Sequence, residues 1–100
     1  MRVRGTIFWQ WSDPTLHHRV HDETMDDGTQ IEVQVRLSRV GSTQMFIGVY
    51  SPSGAPILEE AFASRPGESM TRALVWGVDH ARHIATKGVR TARRAAGGSR

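Results

Sequence analysis

Residues 30–38 read QIEVQVRLS, with Ile31, Val33, Val35 and Leu37 alternating against Gln30, Glu32, Gln34, Arg36 and Ser38. Side chains of an extended chain point to opposite faces in turn, so this spacing predicts a half-buried strand with one wet face. Downstream, Val40-Gly41-Ser42-Thr43 reads as a hairpin connection, and Gln44–Tyr50 returns with Met45, Ile47 and Val49 on one face and Phe46, Gly48 and Tyr50 on the other. Both of those faces are apolar, which predicts a central strand. Ser51-Pro52-Ser53-Gly54-Ala55-Pro56 is dense in turn residues, and Ile57–Ala63 is expected to come back as a further strand. A helix over 57–63 competes with that reading, but hairpin-length turns on both sides leave little room for one.

Beyond the stop at Arg65-Pro66-Gly67, Ser69 is a credible N-cap, and Met70, Leu74, Val78, Ala81 and Ile84 form a helical stripe. Ala73, Gly77, Ala81 and Ala85 recur every fourth residue, a shallow ridge suited to close packing. Lys87 suits the helix dipole and Gly88 a left-handed cap. Upstream, Val3, Gly5, Ile7, Trp9 and Trp11 alternate with polar residues and Phe8, which predicts a first strand over 2–10. Ser12–Thr29, polar and rich in His and Asp, reads as a long loop over 12–29. The expected architecture is therefore α+β: an antiparallel β-meander of about four strands packed against one C-terminal α-helix, in the order ββββα. It fills a single domain over 1–88, followed by a flexible basic tail over 89–100.

With 38% hydrophobic and 23% charged residues, the chain has enough apolar content to fold. It has no cysteine, so disulfides and thiolate metal sites are excluded. No stretch approaches the roughly 20 apolar residues of a spanning helix, and Ile7–Trp11 is too short for a signal-peptide core. The expectation is a cytoplasmic protein with no membrane partner. Of its thirteen basic residues, Arg82, Lys87, Arg90, Arg93, Arg94 and Arg100 fall in 81–100 without an acid, against seven basic and ten acidic residues in 1–80. A basic arm on an acidic body seeks phosphate or an acidic surface, so Lys87, Arg90, Arg93 and Arg94 are the candidate nucleic-acid contacts. The body carries no helix-turn-helix, zinc-finger or RNP-type signature to support that arm.

Three further constellations bear on chemistry. His17, His18, His21, Asp22 and Glu23 crowd one short stretch. Were it helical, His17 and His21 would lie one turn apart and share a metal with Asp22, the basis for a small metal-dependent hydrolase using the His/Asp-rich loop 17–27. The plainer account is a polar loop, with no second half-motif elsewhere. Asp79 and His83 stand four apart on the helix, where a carboxylate steadies an imidazolium, but they lie off the apolar stripe on a solvated face. Trp9 and Trp11 share a face of the expected first strand, and Trp76 sits off the main stripe. With Phe46 and Tyr50 they exceed what one helix covers, which predicts an interaction surface for a second copy, as a homodimer, or for another protein.

A three-strand meander leading into a helix across it, over Gln30–Ala85, resembles the opening of the ribonuclease H fold and the partial version in HicB-type antitoxins. The likeness is topological. It implies a carboxylate on a strand, which Glu32 supplies, and another on the helix, where only Asp79 stands, with no later strand to bring a third. HicB-type proteins add a DNA-binding segment after this module, and Val89–Arg100 is too short for one. The functional expectation is a small non-enzymatic interaction module, protein-binding or self-associating, needing no cofactor, with weak nucleic-acid contact through the tail.

Overall fold

Residues 3–62 and 69–87 are described in the computed structural model of the protein. They form a short helix α1 (Thr6–Trp11), strands β1 (His18–Thr24), β2 (Gln30–Leu37), β3 (Thr43–Tyr50) and β4 (Pro56–Phe62), and a long helix α2 (Met70–Lys87). The four strands make one antiparallel sheet in sequence order, β1-β2-β3-β4, with α2 following, so the α+β arrangement is the one expected. The Arg65-Pro66-Gly67 stop, Gly88 and the basic tail over 89–100 lie outside the described residues.

One turn is used three times. Met25–Thr29, Ser38–Ser42 and Ser51–Ala55 each place glycine fourth: Gly28, Gly41 and Gly54, with φ of 91°, 84° and 96°. In each, the first residue's N–H donates to the fifth residue's carbonyl, and the glycine N–H donates to the first residue's carbonyl. The glycine's left-handed backbone is what lets a tight turn join two twisted strands, and a side chain there would be strained. Fixed in this way, the register sets Val33 against Ile47 and His21, and Val35 against Met45 and Arg19.

The main core lies between the sheet and α2. Ile31, Val33 and Val35 of β2 and Met45, Ile47 and Val49 of β3 are fully buried against Ala73, Ala81 and Ile84. The small ridge, rather than the larger side chains, therefore runs along the centre of the interface. At Gly77 an added Cβ would lie 2.6 Å from Val33 Cγ1 and 2.7 Å from Met45 Sδ, so glycine sets how closely α2 approaches. Ser69 caps the helix, its Oγ accepting the Arg72 N–H at 3.1 Å.

Two local expectations give way. The stretch expected as a first strand over 2–10 contains α1, and the loop expected over 12–29 contains β1. A helical turn puts Phe8 and Trp11 together on one side, three residues apart, and both bury against Phe46 while Trp9 faces out. An alternating strand would have buried Trp9 with Trp11. β1, with the sequence HRVHDET, shows no apolar alternation because it is an edge strand held mainly by its ladder to β2, and charged edges are the usual protection against unwanted pairing.

Candidate functional site

The face of the sheet turned away from α2 carries Glu32, Gln34, Arg36, Phe46, Gly48 and Tyr50, and α1 lies across part of it. Helix α1 is too short to persist alone, and its N-cap position is Gly5, which has no side chain to offer. Glu59 of β4 supplies the cap from elsewhere in the sequence. Its carboxylate accepts the Gly5 N–H at 2.9 Å and the Phe8 N–H at 3.3 Å, the N-cap and third helical positions. These are the two donors that a capping box satisfies from within a helix. The Tyr50 O–H donates to the same carboxylate at 2.7 Å. Burial first, and then this bond, push the Tyr50 phenol above its ordinary value of 10.0, so it stays a donor. The Tyr50 ring lies over Gly48, where a Cβ would meet it at 2.7 Å.

Beside this lies a second carboxylate, and this one is fully buried. Glu32, 1% exposed, faces the Arg4 guanidinium at 3.0 Å and accepts Gln34 Nε2 at 2.7 Å. Arg4 in turn sits 4.0 Å over the Phe8 ring. A charge taken out of water needs partners: Glu32 has its ion pair with Arg4 and a hydrogen bond from Gln34, and Glu59 has three hydrogen-bond donors. Their role is to hold the N-terminal segment in place.

Where α1 meets β1 and β2, a recess of about 320 Å³ opens, lined by Arg4, Trp9, Trp11, His18, Gln34 and Arg36 among others. The Arg36 guanidinium stacks 3.9 Å over the Trp11 ring, bonds Gln44 Oε1 at 2.8 Å through Nε and donates to the Trp11 carbonyl. Burial lowers the Arg36 pKa below the usual guanidinium range, and the more distant Asp13 partly offsets that. Asp13 itself is 3.5 Å from Arg39. Among the described residues, Arg36 makes no ion pair. Trp11, 8% exposed, also holds an orphan: its Nε1 is buried and meets no acceptor among the described residues. Such a group costs about 1–3 kcal/mol where it stands.

On the other face, Glu23 of β1 is clamped by Arg82 of α2, with Nε at 2.9 Å and the terminal nitrogen at 2.8 Å, and by His21 Nε2 at 3.0 Å. The Arg82 hydrogen bonds, then His21, hold the Glu23 carboxyl below its usual range. At the far edge, Trp76 stacks on His80 at 4.8 Å and meets Phe62 of β4 edge-on at 5.7 Å, while His80 lies 3.7 Å from Glu60.

The residues expected to form one interaction surface are separated. Phe46 and Tyr50 are fully buried and Trp11 nearly so, because α1 provides within the chain the cover expected of a partner. Trp9 is 65% exposed at the recess, and Trp76, 38% exposed, is on the opposite side of the sheet. Of the metal candidates, His17 stands just before β1 rather than on a helix, about 13 Å of extended chain from His21. His21 faces α2 and Asp22, its neighbour on the strand, points the other way. Among the described residues no three metal-ligating side chains converge. Asp79 borders an open recess with Arg82 and His21, and His83 is exposed. Lys87 ends α2, exposed, whereas Arg90, Arg93 and Arg94 lie outside the described residues. No helix among the described residues is long and apolar enough to cross a membrane.

Sequence reasoning missed Arg4, Arg36 and Glu59. The available signal was Glu59, one of two adjacent acids inside the otherwise β-forming Ile57–Ala63, and Arg4 just ahead of the aromatic run Phe8–Trp11, whereas Arg36 left no signal beyond the alternation of its strand. Compared with known proteins, the chain matches no family model, no curated protein and no solved structure.

Proposed function

We propose that the protein is a non-enzymatic interaction module that pairs with a second copy of itself along β4. The observation that carries this reading is the contrast between the two edges of the sheet. β1 presents arginine, histidine and two acids, the side chains that discourage edge pairing. β4 pairs with β3 on one side only; Ile57, 47% exposed, sits at the register shift between Pro56 and Leu58, while Leu58 and Phe62 are half-buried against the main core. Trp76 of α2 is exposed above it and meets Phe62. Of its two acids, Glu59 is committed to α1 and Tyr50, and Glu60 lies beside His80, so neither guards the edge freely. Pro56, lacking an N–H, sits at the strand's first residue, the place an edge strand tolerates it. Two β4 strands meeting antiparallel about a twofold axis give a self-complementary contact in which Trp76 of each copy flanks the joint.

Sedimentation velocity of the full chain at micromolar concentration tests this. The wild type is expected to sediment as a dimer, Ile57→Lys as a monomer with unchanged circular dichroism, and Val20→Lys on the β1 edge as a dimer still. A strictly monomeric wild type overturns the reading.

A further inference from the structure

We propose that the recess between α1 and strands β1 and β2 binds a small oxyanion carried on a flat ring, an aromatic carboxylate or a nucleoside monophosphate, with Arg36 as charge partner and Trp9 as stacking surface. Four observations converge on it. The first is charge: Arg4 is matched by Glu32 and Asp13 by Arg39, which leaves the partly desolvated Arg36 without an ion pair among the described residues. A guanidinium in that setting offers a planar fork suited to a carboxylate or phosphate. The second is the Trp11 indole in the wall of the same recess, stacked 3.9 Å under the Arg36 guanidinium, with its Nε1 buried and without an acceptor among the described residues. An oxyanion seated there supplies the guanidinium with its countercharge beside the buried indole. The third is Trp9, an aromatic ring left 65% exposed at the rim and in T-shaped contact with Phe8 at 5.0 Å. The fourth is size. A volume of about 320 Å³ sits at the lower end of the ~300–1,000 Å³ usual for ligand pockets, which suits one ring and one charged group.

This site lies on the α1 face of the sheet, uses neither Ile57 nor Trp76, and stands or falls independently of self-association. The His18 ring adds polarity to the rim, its Nδ1 bonded to the Leu16 carbonyl at 3.0 Å.

Isothermal titration calorimetry of the full chain against benzoate, uridine monophosphate, and the neutral analogues methyl benzoate and uridine decides the matter. A ligand of this size is expected to bind one per chain, with a dissociation constant of about 0.1–1 mM. The charged member of each pair should bind at least about tenfold more tightly than its neutral analogue. Tighter binding of benzoate identifies a carboxylate source, and tighter binding of uridine monophosphate a phosphate source. Arg36→Gln should weaken binding about tenfold or more, but Arg36 also ties down Trp11 and Gln44, so that variant can loosen α1. Trp9→Ala, at an exposed position, leaves the fold intact and should weaken binding at least about fivefold through lost stacking. The proposal is overturned by absence of saturable binding to either anion up to about 10 mM, by equal binding of the neutral analogues, or by unchanged affinity in a folded Trp9→Ala variant.

Discussion

Replacing Glu59 by alanine should be the most damaging single change on the α1 face, although Glu59 is neither fully buried nor part of the main core. The substitution leaves three donors without their acceptor: the Gly5 N–H, the Phe8 N–H and the Tyr50 O–H. Loss of a helix cap costs about 1 kcal/mol, within a range of roughly 0.5–2. A buried hydroxyl without a partner costs a further ~1–3 kcal/mol, and Tyr50 is fully buried. The sum, about 2–4 kcal/mol, corresponds to a fall of roughly 10–25 °C in Tm for a domain of this size. Water entering beside the half-exposed strand pulls the value toward the lower end. Glu59→Gln, which keeps one carbonyl acceptor, should lose only about 1 kcal/mol, and Tyr50→Phe less than Glu59→Ala because it removes a donor together with its need. Urea unfolding followed by tryptophan fluorescence measures all three. Glu59→Ala within about 0.5 kcal/mol of the wild type, the range of an ordinary surface change, would refute the account of α1 as a helix capped from β4.

Two further outcomes follow from the α2 side. Gly77→Ala gains about 1 kcal/mol of helix propensity but drives a methyl to within 2.7 Å of Val33 and Met45, so net destabilisation of about 1–2 kcal/mol is expected in thermal melts, where a stabilised variant would contradict the packing. Glu23 has its folded-state pKa depressed below the ordinary 4.5, so its contribution is fully present above that value and is lost as pH falls through the lowered one. Glu23→Gln should therefore be less stable than the wild type near neutrality, with the difference shrinking below about pH 4, as read from paired urea titrations across that window.

The sheet was legible wherever sequence period and burial coincide. Ile31–Leu37 alternates because β2 is covered by α2 on one face and meets a polar network on the other, and Met45–Tyr50 is apolar on both faces because helices cover both. The turns were legible because glycine at a positive φ leaves a mark that no other residue leaves as clearly. What failed was the N-terminal third, for a physical reason common to both errors. A short helix held by a carboxylate more than fifty positions away, and an edge strand held by a backbone ladder, owe their conformation to tertiary partners rather than to local pattern. Trp9 and Trp11 satisfied a strand alternation by coincidence, since residues 8 and 11 satisfy a helical one equally well. The recess was invisible for the same reason: Arg4, Trp11, Gln34 and Arg36 come from segments that only the docking of α1 brings together.

That dependence makes α1 and the sheet separable in stability. The amides of β2 and β3 open only with the whole sheet, whereas Phe8–Trp11 need lose the Glu59 cap, the Arg4–Glu32 pair, the Arg36 contacts with Trp11 and the contact of two aromatic rings with Phe46. Native-state hydrogen exchange should show the Trp9 and Ser12 amides, which bond within α1 to the Gly5 and Phe8 carbonyls, exchanging at a lower free energy than those of Val33 or Ile47. Glu59→Ala should lower the first set well before the second. A ligand in the recess binds only the docked state, so one present at 100 times its dissociation constant should raise the opening free energy of α1 by about 2.7 kcal/mol. Equal exchange free energies in α1 and in the central strands would mean that the N-terminal segment is part of one cooperative unit, and the recess a fixed cleft instead of one assembled by docking.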